Sequence, residues 1–197
     1  MSTLEVNKIT PQGTGTSVTL GDSGDTFTIP SGVTLTNNGS ASGFGKIGQV
    51  IQATKTNSQT FTLATGTLSD VSGLTLNITP SSTSSKILVE YRMHVGRQST
   101  NPAPYSCLLR DGSIIFQGDS VGSRQRVTAT YGTIGSNETN TINTQIFLDS
   151  PSSTSQLTYK IQVGGFASRT FYVNIPDVNS SAMQTATSTI TAMEVLA

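Results

Sequence analysis

The chain has 197 residues (20.6 kDa) with 11 basic and 11 acidic side chains, room for one ordinary domain plus an appendage; the balanced charge excludes the electrostatic footprint of a nucleic-acid or anionic-membrane binder. Serine and threonine make up roughly 30% of it, well above ordinary usage. With 6% aromatics, 19 glycines and few runs of helix formers, the composition predicts strands and turns with almost no helix.

Ser2 to Pro11 alternates briefly, with Leu4 and Val6 on one face and then Ile9. Too short to fold alone, it is either a loose terminus or a peptide that orders against a partner. Thr16 to Gly45 repeats an apolar-Thr-apolar triplet: Val18-Thr19-Leu20, Phe27-Thr28-Ile29 and Val33-Thr34-Leu35, each set off by Gly, Pro or Asn. An extended triplet turns its two apolar groups to one side and its threonine to the other. One copy has no core, so three chains around one axis are expected, with Val18, Leu20, Phe27, Ile29, Val33 and Leu35 facing inward. The divisions read 1–15 docking segment, 16–45 intertwined trimeric stalk, and 46–197 head.

From Lys46 the strands lengthen. Ile47–Thr54, Leu74–Ile78, Ile87–Val95, Tyr105–Leu109, Ile114–Phe116, Arg126–Tyr131, Thr141–Leu148, Gln156–Val163, Phe171–Ile175 and Thr189–Val195 carry strand signals. The fold class is therefore all-β: a short N-terminal trimeric β-stalk followed by a jelly-roll-like β-sandwich. Ile87–Val95 alternates most cleanly, and Asp111-Gly112 suits a tight primed hairpin turn. If the last strand runs back toward the stalk and connections alternate ends, then Gly96–Pro104, Gln117–Gln125, Asp149–Ser155 and Pro176–Ser188 lie at the far end. Arg110–Ser113 and Gly132–Asn140 then lie at the near end. The far set holds Arg97, Gln98, Asn101 and Arg124, whose side chains suit sugar hydroxyls or anionic groups, and these are the candidate receptor-binding residues.

The blocks MSTLEVNKI, SGDTFTIPSGVTLTNNGSASGFGKIGQVIQATK and ITPSSTSSKILV resemble virion structural proteins of marine tailed phages, cyanophages among them. The resemblance covers most of the chain. It implies a fibre or appendage subunit: an N-terminal piece docked on another virion protein, here carrying Leu4, Val6 and Ile9, a homotrimeric stalk, and a β-sandwich closing on a strand like STITAMEVLA. It implies assembly in the host bacterial cytoplasm and residence in the virion, on tail or head, with a host-surface glycan as candidate ligand.

Other chemistry is expected to be absent. Gly21-Asp22-Ser23-Gly24 matches the surroundings of a protease nucleophile, but the only histidine, His94, lacks the context of a catalytic one. Asp22 and Asp25 fall short of a calcium loop, so no metal is expected. The acids of the head are scattered, which disfavours a glycan-active enzyme. Cys107 alone cannot form an intrachain disulfide and reads as a small core side chain. His94 reads as a solvated or interface group. The sequons, such as Asn38-Gly39-Ser40, carry no weight in so Ser/Thr-rich a chain. No signal peptide or spanning segment is read, and membrane insertion, cofactor and enzymatic activity are not expected. The rival readings are a capsid decoration or joining protein with no receptor role, a fibre-borne glycan-active enzyme and a free sugar-binding module.

Overall fold

The computed structural model describes residues 9, 17–19, 22–34, 36, 46–97, 104–131, 140–165 and 169–196. The chain divides into two compact units, Met1–Phe44 and Gly45–Ala197.

In the first unit two turns punctuate the described residues. Asp25 N–H donates to Asp22 O at 3.1 Å and Val33 N–H to Pro30 O at 3.2 Å. Each turn has a glycine with positive φ at its third position, Gly24 (98°) and Gly32 (84°), the place where a type II turn requires one. The Asp25 carboxylate accepts from the Asp22 N–H (2.8 Å). The described residues of this unit form no strand ladder within one chain. Their apolar side chains are exposed: Phe27 69%, Val33 60%, Val18 42% and Ile29 37%. Leu20, Leu35, Leu4 and Val6 lie outside the described residues, and Ile9 is exposed.

The second unit is all-β. Its elements are β1 (Ile47–Lys55), β2 (Gln59–Leu63), β3 (Leu68–Ile78), β4 (Lys86–Arg97), β5 (Tyr105–Arg110), β6 (Ser113–Phe116), β7 (Ala129–Thr130), β8 (Asn140–Asp149), β9 (Leu157–Gly164), β10 (Arg169–Val173) and β11 (Ser188–Val195). They form an antiparallel six-stranded sheet, β1-β11-β4-β10-β2 with β8 also on β4, and an antiparallel five-stranded sheet, β3-β9-β5-β6 with β7 also on β5. β4 shows why the alternation reads so clearly. Ile87, Val89, Tyr91, Met93 and Val95 are buried, while Leu88, Glu90, Arg92 and His94 face outward. The inward rows of both sheets share one cluster, in which Ile87, Met93 and Ile190 meet Leu74, Ile161 and Leu108, an arrangement consistent with a β-sandwich.

The pairing register shows that several strands are one strand interrupted. β8 occupies one edge of β4 from Ile87 to Gly96. β11 (Thr189↔Arg92 to Val195↔Lys86) and β10 (Phe171↔Arg97 to Val173↔Val95) therefore share its other edge and run in the same direction. β1 and β2 follow the same line, Lys55 pairing with Ser188 and Gln59 with Val173. β6 and β7 likewise share the edge of β5 that β9 leaves open. The β6/β7 and β10/β11 interruptions throw out excursions, at 117–128 and at 174–187.

This corrects the alternation of ends. Taking the end with Ile47, Lys86 and Val195 as proximal, β8 starts distally, Asn140 pairing with Gly96, and finishes proximally, Asp149 pairing with Ile87. Asp149–Ser155 is thus proximal rather than far, and β8 begins at the distal end with Asn140, residues 132–139 of the expected Gly132–Asn140 connection lying outside the described residues. Gln117–Gln125 and Pro176–Ser188 are lateral excursions, because the strands on either side run the same way and the count includes one reversal too many at each. Two such errors cancel upstream of β6, so β4 does end distally at Arg97 and Arg110–Ser113 does lie proximally. The latter is the expected primed hairpin, with Asp111 and Gly112 both at positive φ (50° and 84°).

Other differences are local. β3 begins at Leu68 and absorbs a register shift between Asp70 and Thr75, where Gly73 takes φ 84°. β10 stops at Val173 because Asn174 turns to φ 68°. Only Ala129–Thr130 of the expected Arg126–Tyr131 strand pairs. Cys107 is buried beside Tyr105 and Leu109 as expected.

Candidate functional site

The excursion at 174–187 lines a concavity. The base of the excursion is Asn174, fully buried. The Asn174 Nδ2 donates to Lys55 O (2.9 Å) and Asn57 O (3.0 Å). Its Oδ1 accepts from the Ser188 hydroxyl at 2.6 Å. Its main chain is held by His94 O (3.0 Å) and by the Ala186 N–H (2.8 Å), and Ser188 Oγ in turn accepts from His94 N–H (3.0 Å). One asparagine thus joins β1, β4, β10 and β11 and closes the mouth of the excursion. Asparagine suits the place because it tolerates left-handed φ and carries both donor and acceptor. Gly96 supports the same corner: a Cβ there would meet the carbonyl of Ile175, Pro176 Cα at 2.7 Å and Asn140 Oδ1 at 2.9 Å.

The excursion lines a cavity of about 330 Å³ with residues between Tyr172 and Thr185, toward the small end of ligand sites. The Tyr172 hydroxyl donates to Asp177 Oδ1. That hydrogen bond, then burial, pushes the phenol up to about 12, so it stays protonated at neutral pH. Within the loop, Met183 N–H donates to Ser180 O (2.9 Å) and Ala182 N–H to Ser180 Oγ (3.2 Å). The walls are therefore held in place before any ligand arrives.

Of the expected receptor residues, the described ones, Arg124 and the backbone of Arg97, belong to different sheets. Arg97 ends β4 at the distal rim of the six-stranded sheet, its backbone opposite Phe171 and next to the Gly96–Tyr172 pair; its side chain, and all of Gln98 and Asn101, lie outside the described residues. Arg124 sits exposed in the other excursion, on the edge of the five-stranded sheet. The cavity residues Tyr172 and Asp177 were missed because only the strand interruption makes them face one another. The signal that could have found them is Asn174-Ile175-Pro176-Asp177, a turn cluster breaking an apolar run. His94 lies on the outer face opposite Ile142, and burial, with Arg92 second, pulls its imidazole below the ordinary range.

No protein-family model matches this chain, and no curated protein matches it either.

Proposed function

We infer that this is a homotrimeric, non-enzymatic structural protein of a phage particle, a fibre-type subunit whose N-terminal unit sets oligomeric state and whose β head is offered to a host surface. The observation that carries the reading is the N-terminal unit itself, in which Phe27, Val33, Val18 and Ile29 stand exposed in a single chain. A chain that leaves repeated apolar triplets in water has a partner for them, and the repetition suits identical neighbours.

The head adds support. Across the outer face of the six-stranded sheet, Val50, Met193, Leu88 and Leu148 form one row through four strands, with Ile142 and Ile146 exposed alongside on β8. β8 pairs only with β4 among the described strands, and an apolar edge strand is a surface that proteins normally cover. The finer fold reading is a jelly roll: merging the interrupted strands leaves two four-stranded sheets, β8, β4, β10/β11, β1/β2 and β3, β9, β5, β6/β7, which is the strand order of that architecture. Leu4, Val6 and Ile9 belong to the docking segment in this reading. The test is the density of this chain in images of intact particles. Trimers projecting from tail or head vertices support a fibre subunit; a continuous layer over capsid lattice axes supports a decoration protein instead, and absence from the particle removes both.

A further inference from the structure

We propose that the cavity of the 174–187 excursion is a binding site for a neutral, hydroxyl-rich ligand, a saccharide unit. The proposal deepens the attachment reading and rests on it only for where the sugar comes from.

Charge decides the ligand class first. The lining has one carboxylate, Asp177, and no lysine or arginine, so an anionic group would enter against a negative charge with nothing to pair it. The carboxylate is half used. Oδ1 accepts from Tyr172, while the described residues offer no donor to Oδ2, which is left as a strong acceptor for a ligand O–H. Tyr172, held as a donor to Asp177, keeps its oxygen lone pairs available as a second acceptor.

The rest of the lining is mixed in the way a sugar ring requires. Asn179 and Gln184 present amides that both give and accept hydrogen bonds, while Pro176 and Met183 supply apolar surface. Gln184 spends one N–H on Ala182 O (2.8 Å), which orients the amide and leaves its oxygen open. Alternating hydroxyls and C–H faces of a pyranose match acceptors, amides and apolar wall together, whereas a simple cation would leave the amide N–H donors and the apolar wall unused. The site is preformed, because Asn174 and the Ser180 turn fix both walls; binding therefore orders little protein.

The experiment is a titration of the full-length protein, followed by NMR or calorimetry, with the methyl glycosides of glucose, galactose and N-acetylglucosamine. Inorganic phosphate and tetramethylammonium are run beside them. Saturable binding of at least one glycoside is expected, weakened roughly tenfold or more by Asp177→Asn, which keeps an acceptor for Tyr172, and by Thr185→Trp, which fills the cavity from an exposed position. Asp119→Ala, at an exposed position in the 117–128 excursion, is expected to leave binding unchanged. A thermal melt of each variant checks that the fold is retained. No glycoside binding up to about 50 mM, binding retained in either cavity variant, or binding of phosphate or tetramethylammonium alone overturns the proposal. Because the titration needs no particle, its failure leaves the virion assignment standing, and absence from virions leaves a positive titration standing.

Discussion

At the scale of single residues, most buried polar groups among the described residues are committed, and Asn174 shows what that commitment is worth. Its amide satisfies two main-chain carbonyls that are 119 and 117 residues away along the chain, and its backbone holds a φ of 68° that a Cβ-bearing residue adopts at a cost. Asn174→Ala leaves the carbonyls of Lys55 and Asn57 and the Ser188 hydroxyl without their partner, and a buried orphan group costs about 1–3 kcal/mol. We expect a loss of about 3 kcal/mol in urea unfolding. Asn174→Gly keeps the same orphan groups but relieves the backbone, so it is expected to recover about 1 kcal/mol of that loss. Equal stability of wild type and Asn174→Ala would refute the role. A second buried chain, Tyr91 OH to Ser106 Oγ (2.9 Å) to Tyr131 OH (3.2 Å), is satisfied in the same manner across the two sheets. Gly164 illustrates the steric counterpart: the Tyr105 ring lies where its Cβ would be.

At the scale of elements, the proximal end is tied by ionised groups. Glu194 of β11 is buried, yet its carboxylate accepts from Ser81 N–H and Oγ (2.6 Å each) and from Gln49 Nε2 (2.8 Å). Burial alone would raise its pKa, but these donors outweigh it and hold the group at about 2 instead of 4.5. The folded value lies below the unfolded one, so the contribution is complete above about pH 4.5 and is lost as pH falls toward 2. At about 1.4 kcal/mol for each pH unit of that window, the pair of strands and the 79–85 loop lose about 3 kcal/mol. We predict that the slope of unfolding free energy between pH 5 and about 2.5 is shallower in Glu194→Gln than in wild type; parallel curves would contradict the assignment. Nearby, Asp149 takes the Arg110 guanidinium (2.6 and 2.7 Å) and the Tyr159 hydroxyl (2.6 Å), joining β5, β8 and β9. Burial and then the Asp149 hydrogen bond keep the Tyr159 phenol well above its usual range.

Legibility in the sequence follows from how local each signal is. The alternation of Ile87 to Val95 and the Asp111-Gly112 turn depend on neighbours within a few residues, and both stand in the structure as read. The strand interruptions do not: β10 and β11 are known to be one line only through their common partner β4, and no periodicity records a shared partner. That is why the ends of the connections between them were miscounted. The cavity is invisible for the same reason, since Tyr172 and Asp177 are close in sequence but acquire walls only when Asn174 reaches Lys55. Arg97 and Arg124 stood out by side-chain type, a property that carries no information about which sheet edge holds them.

At the scale of the whole molecule, the two units differ in how they handle apolar surface. Among the described residues, the head packs 21 into one buried cluster, each large apolar side chain contributing about 1.5–3 kcal/mol by leaving water. The described apolar groups of the first unit, Phe27 and Val33 above all, gain none of this in a single chain. Three chains placing them on a common axis would recover it, and a charge put there would be buried without a partner. The central claim is therefore association, and the direct measurement is the molar mass of the full-length protein in solution by multi-angle light scattering at micromolar concentration. The account predicts a species of three times 20.6 kDa that Phe27→Asp shifts toward the monomer with the head still folded; a wild-type monomer of 20.6 kDa under the same conditions would contradict it.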